Sequence, residues 1–371
     1  MKHRPRQRTI SALASALVFA LAGVGPLFAA APPSPIPTPV PASIPVAEST
    51  AAVTPLRVVF LDVGHGDCIW IRTPDDGIGG NGRCEGYNVF IDGGPSSKRI
   101  YSQLASLGFR YRAPVEWMFL SHAHNDHYRG LTGILHDADV EAVVDPGFRH
   151  DGESYGAFCW NAVIEPGCVF YSPAIGYSTV PALKSLAPGV PCPLDWGEEL
   201  DVVILYANPA VGEDGINNSS IVLKLTYGSV SFLFTGDIEG KYRPSASGAN
   251  DVDHPLFAEK VLLDRYGGDG TLRSTILKIP HHGSETSSTA PFIAAVGPRE
   301  GIISAGNRYG LPDDTVIKRY EAAGCRVWRT DRLDTGRPAT ECADDDHVIV
   351  TTDGKEYRIG YWKPDARETE K

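Results

Sequence analysis

The stretch "VEWMFLSHAHNDHYRG" constrains this chain more than any other. A short apolar run, Trp117–Leu120, reads as a buried strand and runs straight into a loop bearing His122, His124, Asp126 and His127. On extended chain a two-residue spacing lets the imidazoles of His122 and His124 reach the same side, which suits one metal ion. Asp126 and His127 follow where the chain turns into a helix, and suit a neighbouring ion. A carboxylate from elsewhere can bridge the two positions, and Asp237, at the end of a later strand, is the best placed to do so. Nitrogen with carboxylate oxygen favours Zn²⁺, and Mn²⁺ or Fe²⁺ also accept such a set. Two divalent ions roughly 3.5–4 Å apart can share a hydroxide and stabilise charge on attacking and leaving oxygens. A lone surface histidine would need no such account; four ligand types in six residues do.

The same theme recurs along the chain. "YNVFIDGGP" is a strand ending on Asp92. "NNSSIVLKLTYGSVSFLFTGDIEG" gives two strands joined at Tyr227-Gly228-Ser229, the second ending on Asp237. "STILKIPHHGSETSS" is a strand followed by His281 and His282. Ligand-type residues thus gather at the C-terminal ends of strands, where α/β sheets place their chemistry. "RVVFLDVGHGDCIWIRTP" reads as a hairpin, and "IYSQLASLGF" has the helical spacing Ile100, Leu104, Leu107. "GIISAGN", "DDTVIKRYEAAG" and "CRVWRTD" read as strand, helix, strand, before a closing hairpin in "DHVIVTTDGKEYRIGYW". The pattern predicts the α/β class, as an αββα sandwich: two mixed β-sheets face to face, with helices on the outer faces. Residues of about 148–196 show no clear periodicity and carry three of the cysteines. They are expected to form an irregular insertion, a wall of the site whose Tyr155, Phe158 and Trp160 are candidates to stack on a base or cage a choline.

The ends read differently. Lys2, Arg4, Arg6 and Arg8 precede an apolar run and small residues near Ala31, the pattern of a signal peptide over 1–31. A Pro/Ala-rich linker over 32–55 then leads to a hydrolase domain over 56–365. Export to a secreted or periplasmic location follows, with no stable membrane insertion after cleavage. Loss of those four basic residues and no acid would move the net charge from -11 to -15. Such a body repels polyanions unless a local basic patch compensates, which favours a smaller substrate. Export permits disulfides, with Cys68–Cys84, Cys159–Cys168 and Cys325–Cys342 as candidate pairs; no C-x-x-C spacing marks a cysteine zinc site.

These residues resemble a known family. "HAHNDH" is similar to the H-x-H-x-D-H signature of the metallo-β-lactamase superfamily. "LDVGHGDCIWI", "ILKIPHHGSETSS" and "NRYGLPDDTVIKRYEAAGCRVWRTD" resemble the hydrolase domain of ComEC-type DNA-uptake proteins, and the secreted phosphorylcholine esterases are similar too. The resemblance implies His122 and His124 on one metal, Asp126 and His127 on the other, and Asp237 bridging. It implies one histidine of the His281-His282 pair as a further ligand, with His282, next to the glycine, preferred and His281 then facing substrate or supporting the ligands. Asp67 and Asp92 would orient ligands, and Glu239 would line the pocket. The superfamily's third-motif histidine is replaced by Asn217-Asn218, leaving the first metal a ligand short, with water, an asparagine oxygen, His136 or His150 to fill in. His65 stands where relatives have Gln, and Leu311 where they have a late histidine.

The leading function is a dinuclear metal hydrolase that cleaves a small-molecule or oligonucleotide phosphodiester. Asp126, Asp237 and His281 are its expected catalytic residues, and Ser284, with Ser287 and Ser288, is a candidate phosphate contact. Three alternatives use the same cluster: a nuclease on single-stranded DNA, a β-lactam or lactone hydrolase, and a non-catalytic metal-stabilised binding protein. No partner protein is predicted.

Overall fold

The computed structural model describes residues 52–98, 100–147, 152–172, 177–178, 192–208, 213–243, 252–306, 308–332 and 346–362. The signal peptide, nearly all of the linker, His150 and Cys342 lie outside the described residues. Among the described residues no helix is long and apolar enough to cross a membrane.

The first half of the body builds one sheet. Strands β1 (Leu56–Phe60), β2 (Cys68–Arg72) and β3 (Asn88–Gly93) pair antiparallel. Helix α1 (Ile100–Ser106) follows, then the short β4 (Pro114–Val115) and the strand β5 (Trp117–Phe119). Helix α2 (Asn125–Asp137), β6 (Asp139–Val140), which pairs with β4, and β7 (Ala142–Val144) come next. Helix α3 (Glu153–Ile164) leads to β8 (Val169–Ser172) and β9 (Tyr177–Ser178). Strands β3, β5, β7 and β8 run parallel, as helical crossovers require.

The second half repeats the plan. β10 (Cys192–Leu194), β11 (Leu200–Tyr206), β12 (Val222–Tyr227) and β13 (Val230–Phe234) pair antiparallel. Parallel strands β14 (Ile276–Lys278), β15 (Glu300–Ile303) and β16 (Arg326–Arg329) alternate with α4 (Phe257–Tyr266), α5 (Ala290–Val296) and α6 (Asp314–Ala322). The closing hairpin, β17 (Val348–Thr352) and β18 (Tyr357–Tyr361), returns to the first sheet beside β1. Among the described residues the result is a nine-stranded and a seven-stranded sheet, beside the short β4–β6 pair.

Period-two alternation explains why the sheets face each other. In β1, Leu56, Val58 and Phe60 enter a core shared with Phe232 and Phe234 of β13. Val59, on the other face, and Leu61, just beyond the strand, join a second core beneath α1–α3. A third core lies beneath α4–α6. Each sheet is buried on both sides, so its strands read as near-continuous apolar runs. This is the αββα sandwich.

The stretch expected to be irregular is ordered in part. Glu153–Ile164 is a helix, and Tyr155, Phe158 and Ala162 are its buried face. The 3- and 4-residue spacing of those three was the legible signal. Tyr155 and Phe158 are therefore core packing and not a cage for a base or choline; Trp160 is the exposed one, at 63%. Cys68, Cys84, Cys159 and Cys168 are free thiols, so the Cys68–Cys84 and Cys159–Cys168 pairings do not form, while Cys342, the expected partner of Cys325, lies outside the described residues. Cys68 and Cys84 lie at opposite ends of the β2–β3 ladder, about 13 Å of strand apart, beyond the reach of a disulfide.

One contact sets the histidine loop. Gly93 ends β3, and Gly130 lies in the second turn of α2; a β-carbon on either would overlap the other's backbone. Gly130 N–H donates to Gly94 O at 3.0 Å. The helix can sit directly on the strand only because both residues lack a side chain. Gly130→Ala is expected to destabilise the protein by about 2 kcal/mol or more, read by urea denaturation.

Candidate metal centre

The strand ends deliver the expected residues to one place. Asp92 is the penultimate residue of β3, Ser121 and His122 follow β5, Asp237 follows β13, and His281 and His282 follow β14. The turn after β1 supplies His65 and Asp67. His122, His127, Asp92, Asp67, Asp237 and His282 are buried; His124, Asp126 and His65 are partly open to solvent.

Asp237 sits between two groups of donors. On one side, His122 Nε2 lies 3.7 Å from its Oδ2 and 3.0 Å from His124 Nδ1. On the other, His127 Nε2 and His282 Nε2 lie 3.4 and 3.1 Å from the same oxygen. Asp126 Oδ2 lies 3.7 Å from His282 Nε2 and 3.4 Å from His65 Nε2. Donor atoms spaced this way are close to the roughly 3.3 Å edges that tetrahedral Zn–N bonds of about 2.0–2.1 Å create. His122, His124 and Asp237 form one potential ligand group; His127, Asp237 and His282 form a second, with Asp126 beside it.

Each buried imidazole is fixed through its other nitrogen. His127 Nδ1 meets Asp92 Oδ2 at 2.8 Å, His282 Nδ1 meets Ser304 O at 2.7 Å, and His122 Nδ1 meets Ser121 Oγ at 3.0 Å. These bonds aim Nε2 at the cluster, the arrangement metal-binding histidines use. Asp92 also accepts from Ser121 N–H at 2.7 Å. Its own backbone is left-handed, with φ of 58°, as are His281 and His282 at 50° and 52°. Three non-glycine residues held in that region at one site are strained conformations that the surrounding bonds must enforce.

Two observations test whether this donor set fits metal ions. First, His127 Nε2, His282 Nε2 and Asp237 Oδ1 are buried without a hydrogen-bond partner, an expensive state for polar atoms. Second, four carboxylates, Asp67, Asp92, Asp126 and Asp237, face one ammonium, Lys278, whose Nζ lies 2.6 Å from Asp67 and 3.9 Å from Asp237. With neutral imidazoles that leaves three net negative charges largely out of water, which bound cations would balance. Without ions, protons take their place. Burial opposes charging His127 and His282, but Asp237 outweighs it and holds both pKa values up, helped by Asp92 at His127 and by Asp67 at His282. Burial depresses His122 and His124, keeping them neutral, and takes His65 down to about 3. Asp237 stays ionised against its burial because His282 and His127 adjoin it. The set fits two divalent cations.

The remaining expected residues divide. His281 sits at the rim: Nδ1 meets Thr286 Oγ1 at 2.9 Å and Glu239 Oε1 at 3.3 Å, and Nε2 meets Asn217 Nδ2 at 3.3 Å. It falls outside both ligand groups. Asn218 is buried and spends its side chain on Glu239 and on the backbone N–H of Glu239. Asn217 stays at the rim, with a buried Oδ1 lacking a partner. Ser284 does not face the site as a phosphate contact. It is buried, and its hydroxyl accepts from Arg243 Nη2 at 2.9 Å and bonds Thr286. Ser287 and Ser288 are buried as well and tie the loop to Pro280 O and Tyr320. His136 is exposed beside Asp137, away from the centre.

Sequence reasoning missed Lys278, which looks like an ordinary strand residue in "ILK", and the supporting Ser121 and Ser304. It noted His65 without placing it; Gly64 and Gly66, both at positive φ, fold the turn so that its ring centre lies 4.4 Å from that of His282, the two planes tilted by 48°. Beyond His65, the ring of the exposed Tyr309 lies 5.1 Å away, edge-on, under the guanidinium of Arg308.

Comparison with known proteins bears on this geometry. A family model described as the metallo-beta-lactamase superfamily matches residues 84–306. Competence protein ComA of Neisseria gonorrhoeae is 35% identical over 117 residues, 31% of this chain and 14% of ComA. ComE operon protein 3 of Bacillus subtilis is 32% identical over 121 residues, 32% of this chain and 13% of that protein. The chain therefore matches only a small part of the length of either relative. Among solved structures, the metallo-beta-lactamase fold protein YhfI of Bacillus subtilis aligns with a TM-score of 0.42 and 12% identity, covering 74% of this chain and 96% of that one.

Proposed function

The chain belongs to the metallo-beta-lactamase superfamily of metal-dependent hydrolases, and from that premise we propose that it is an exported dinuclear phosphodiesterase. The observation that supports this most is that Asp237 belongs to both ligand groups, its Oδ2 approached by ring nitrogens of each. A carboxylate so placed suits a paired-ion clamp for in-line displacement at phosphorus. When bound, two divalent ions supply Lewis acidity, which acidifies water and stabilises charge on the phosphoryl group.

The chain's own residues do the rest. His122, His124, Asp126, His127, Asp237 and His282 would hold the ions, and Asp92, Ser304 and Ser121 keep the imidazoles aimed. Asp126, partly open to solvent, receives the proton of the attacking water at its carboxylate. His281, anchored at Nδ1 by Thr286 and Glu239, holds Nε2 against Asn217 Nδ2 at the rim, where the ring lines the approach of the substrate. Asn217, whose buried Oδ1 has no partner, is the candidate to supply the oxygen that the His122–His124 group would need in place of a third imidazole. The likeness to competence proteins supports phosphorus chemistry over β-lactam or lactone hydrolysis.

A second reading, action on single-stranded DNA, is favoured by Arg308 and Tyr309 at the mouth. An exposed aromatic ring and a guanidinium side by side suit a base and its phosphate. The test is a panel: bis(p-nitrophenyl) phosphate, a choline phosphodiester, a single-stranded oligonucleotide and a β-lactam. Turnover of a phosphodiester above the β-lactam is the expected result, and the reverse order would overturn the proposal. Tyr309→Ala is expected to raise KM on the oligonucleotide about tenfold and leave the small diester unchanged if a base stacks there.

A further inference from the structure

A second site lies at the opposite pole of the first sheet. It is a cavity of about 750 Å³ lined by Arg57, Arg72, Arg110 and Arg112, with Trp70 and Tyr111. Strand β2 runs from Cys68, next to Asp67 of the metal centre, to Arg72 at this cavity. At about 3.3 Å per residue the strand alone separates the two by about 13 Å.

The charge arrangement here is unusual for an acidic chain. Arg57 and Arg72 stand directly opposite each other across β1 and β2. Like charges paired across strands cost stability unless a counter-charge is present. The cavity has carboxylates, but they are engaged. Glu85 accepts from the backbone N–H groups of Gly80 and Gly82, and Glu116 from that of Asn88. Of the four arginines, Arg72 alone has an ion pair among the described residues, with Asp75 at 2.9 Å. Arg57 lies 5.3 Å over the Trp70 ring and donates to Leu107 O at 3.0 Å, fixed in place while its charge stays unmatched. Arg110 and Arg112 are exposed at the rim, and Arg112 holds a left-handed backbone with φ of 59°. Tyr111 between them is 61% exposed.

Several forked donors around a cavity of small-ligand size match phosphate oxygens, and an exposed aromatic ring matches a base. We propose that this cavity binds a nucleotide, its phosphate held by the arginines and its base against Tyr111, whether free or as one unit of a single strand. The pocket is the local basic patch that the overall acidity would otherwise argue against. The inference does not rest on the phosphodiesterase reading, because the cavity shares no residue with the metal centre.

The test is calorimetric titration of the full chain in EDTA, so that neither turnover nor bound metal contributes. The probes are AMP, a ten-residue oligothymidylate and inorganic phosphate. Saturable binding of AMP or the oligonucleotide is expected, tighter than phosphate. Arg110→Gln with Arg112→Gln should weaken it at least about tenfold, and Tyr111→Ala should remove the advantage over phosphate. Both rim arginines are exposed, so the double variant should fold and keep its turnover of a small diester. Tighter binding of AMP identifies a free nucleotide; tighter binding of the oligonucleotide identifies a strand. Absence of saturable binding by both nucleotide probes would overturn the proposal, as would affinity unchanged in the arginine double variant.

Discussion

Asp237→Ala is expected to lower phosphodiester turnover about a thousandfold or more, with circular dichroism unchanged. The size follows from what the side chain does. Its Oδ2 lies within 3.7 Å of three imidazole nitrogens, so its removal opens both ligand groups at once. Metal ions contribute several kcal/mol to such transition states, and each 1.36 kcal/mol is tenfold in rate. The fold should survive, because Asp237 sits at a strand end and adds nothing to the cores. Turnover retained within tenfold would remove the paired-ion mechanism while leaving the fold assignment intact.

The second large effect concerns stability. Lys278 is fully buried, with Nζ against Asp67 Oδ2 at 2.6 Å and Gly236 O at 3.3 Å. Lys278→Met would take from Asp67 its ammonium partner and leave it facing only His282 Nδ1 at 3.5 Å, in a site whose burial already pushes its pKa up. Breaking a buried pair from one side costs about 3–5 kcal/mol. Urea denaturation in EDTA at pH 7 should show a loss of that size. The double variant Lys278→Met with Asp67→Leu should recover part of it, since no lone charge remains. A double variant no more stable than Lys278→Met would show that Lys278 acts by packing.

The sequence was most informative where chemistry is concentrated and local. His122, His124, Asp126 and His127 announce themselves by spacing, and the strands before them by apolar runs. Asp237 and His282 could be placed because each follows a strand in the same way. What could not be read is convergence through single side chains. Nothing in "ILK" distinguishes a lysine that neutralises an aspartate some 210 positions earlier from one facing water. Ser304 helps through its carbonyl, which no side-chain pattern records. Ser284 illustrates the opposite error: a hydroxyl near the histidines in sequence faces Arg243 and Thr286, because the left-handed turn at His281 and His282 redirects the chain. The helix α3 was missed although Tyr155, Phe158 and Ala162 carry its spacing, since Gly156 and the flanking glycines and prolines suggested irregular chain. The arginine pocket was invisible for the same reason as Lys278: Arg57 and Arg72 meet only through strand register.

The central claim is that two cations share Asp237. Anomalous diffraction from crystals grown with Zn²⁺ tests it directly. Two peaks roughly 3.5–4 Å apart are expected, one beside His122 and His124, the other beside His127 and His282, with the Asp237 carboxylate between them. A single peak, or peaks away from Asp237, would contradict the account.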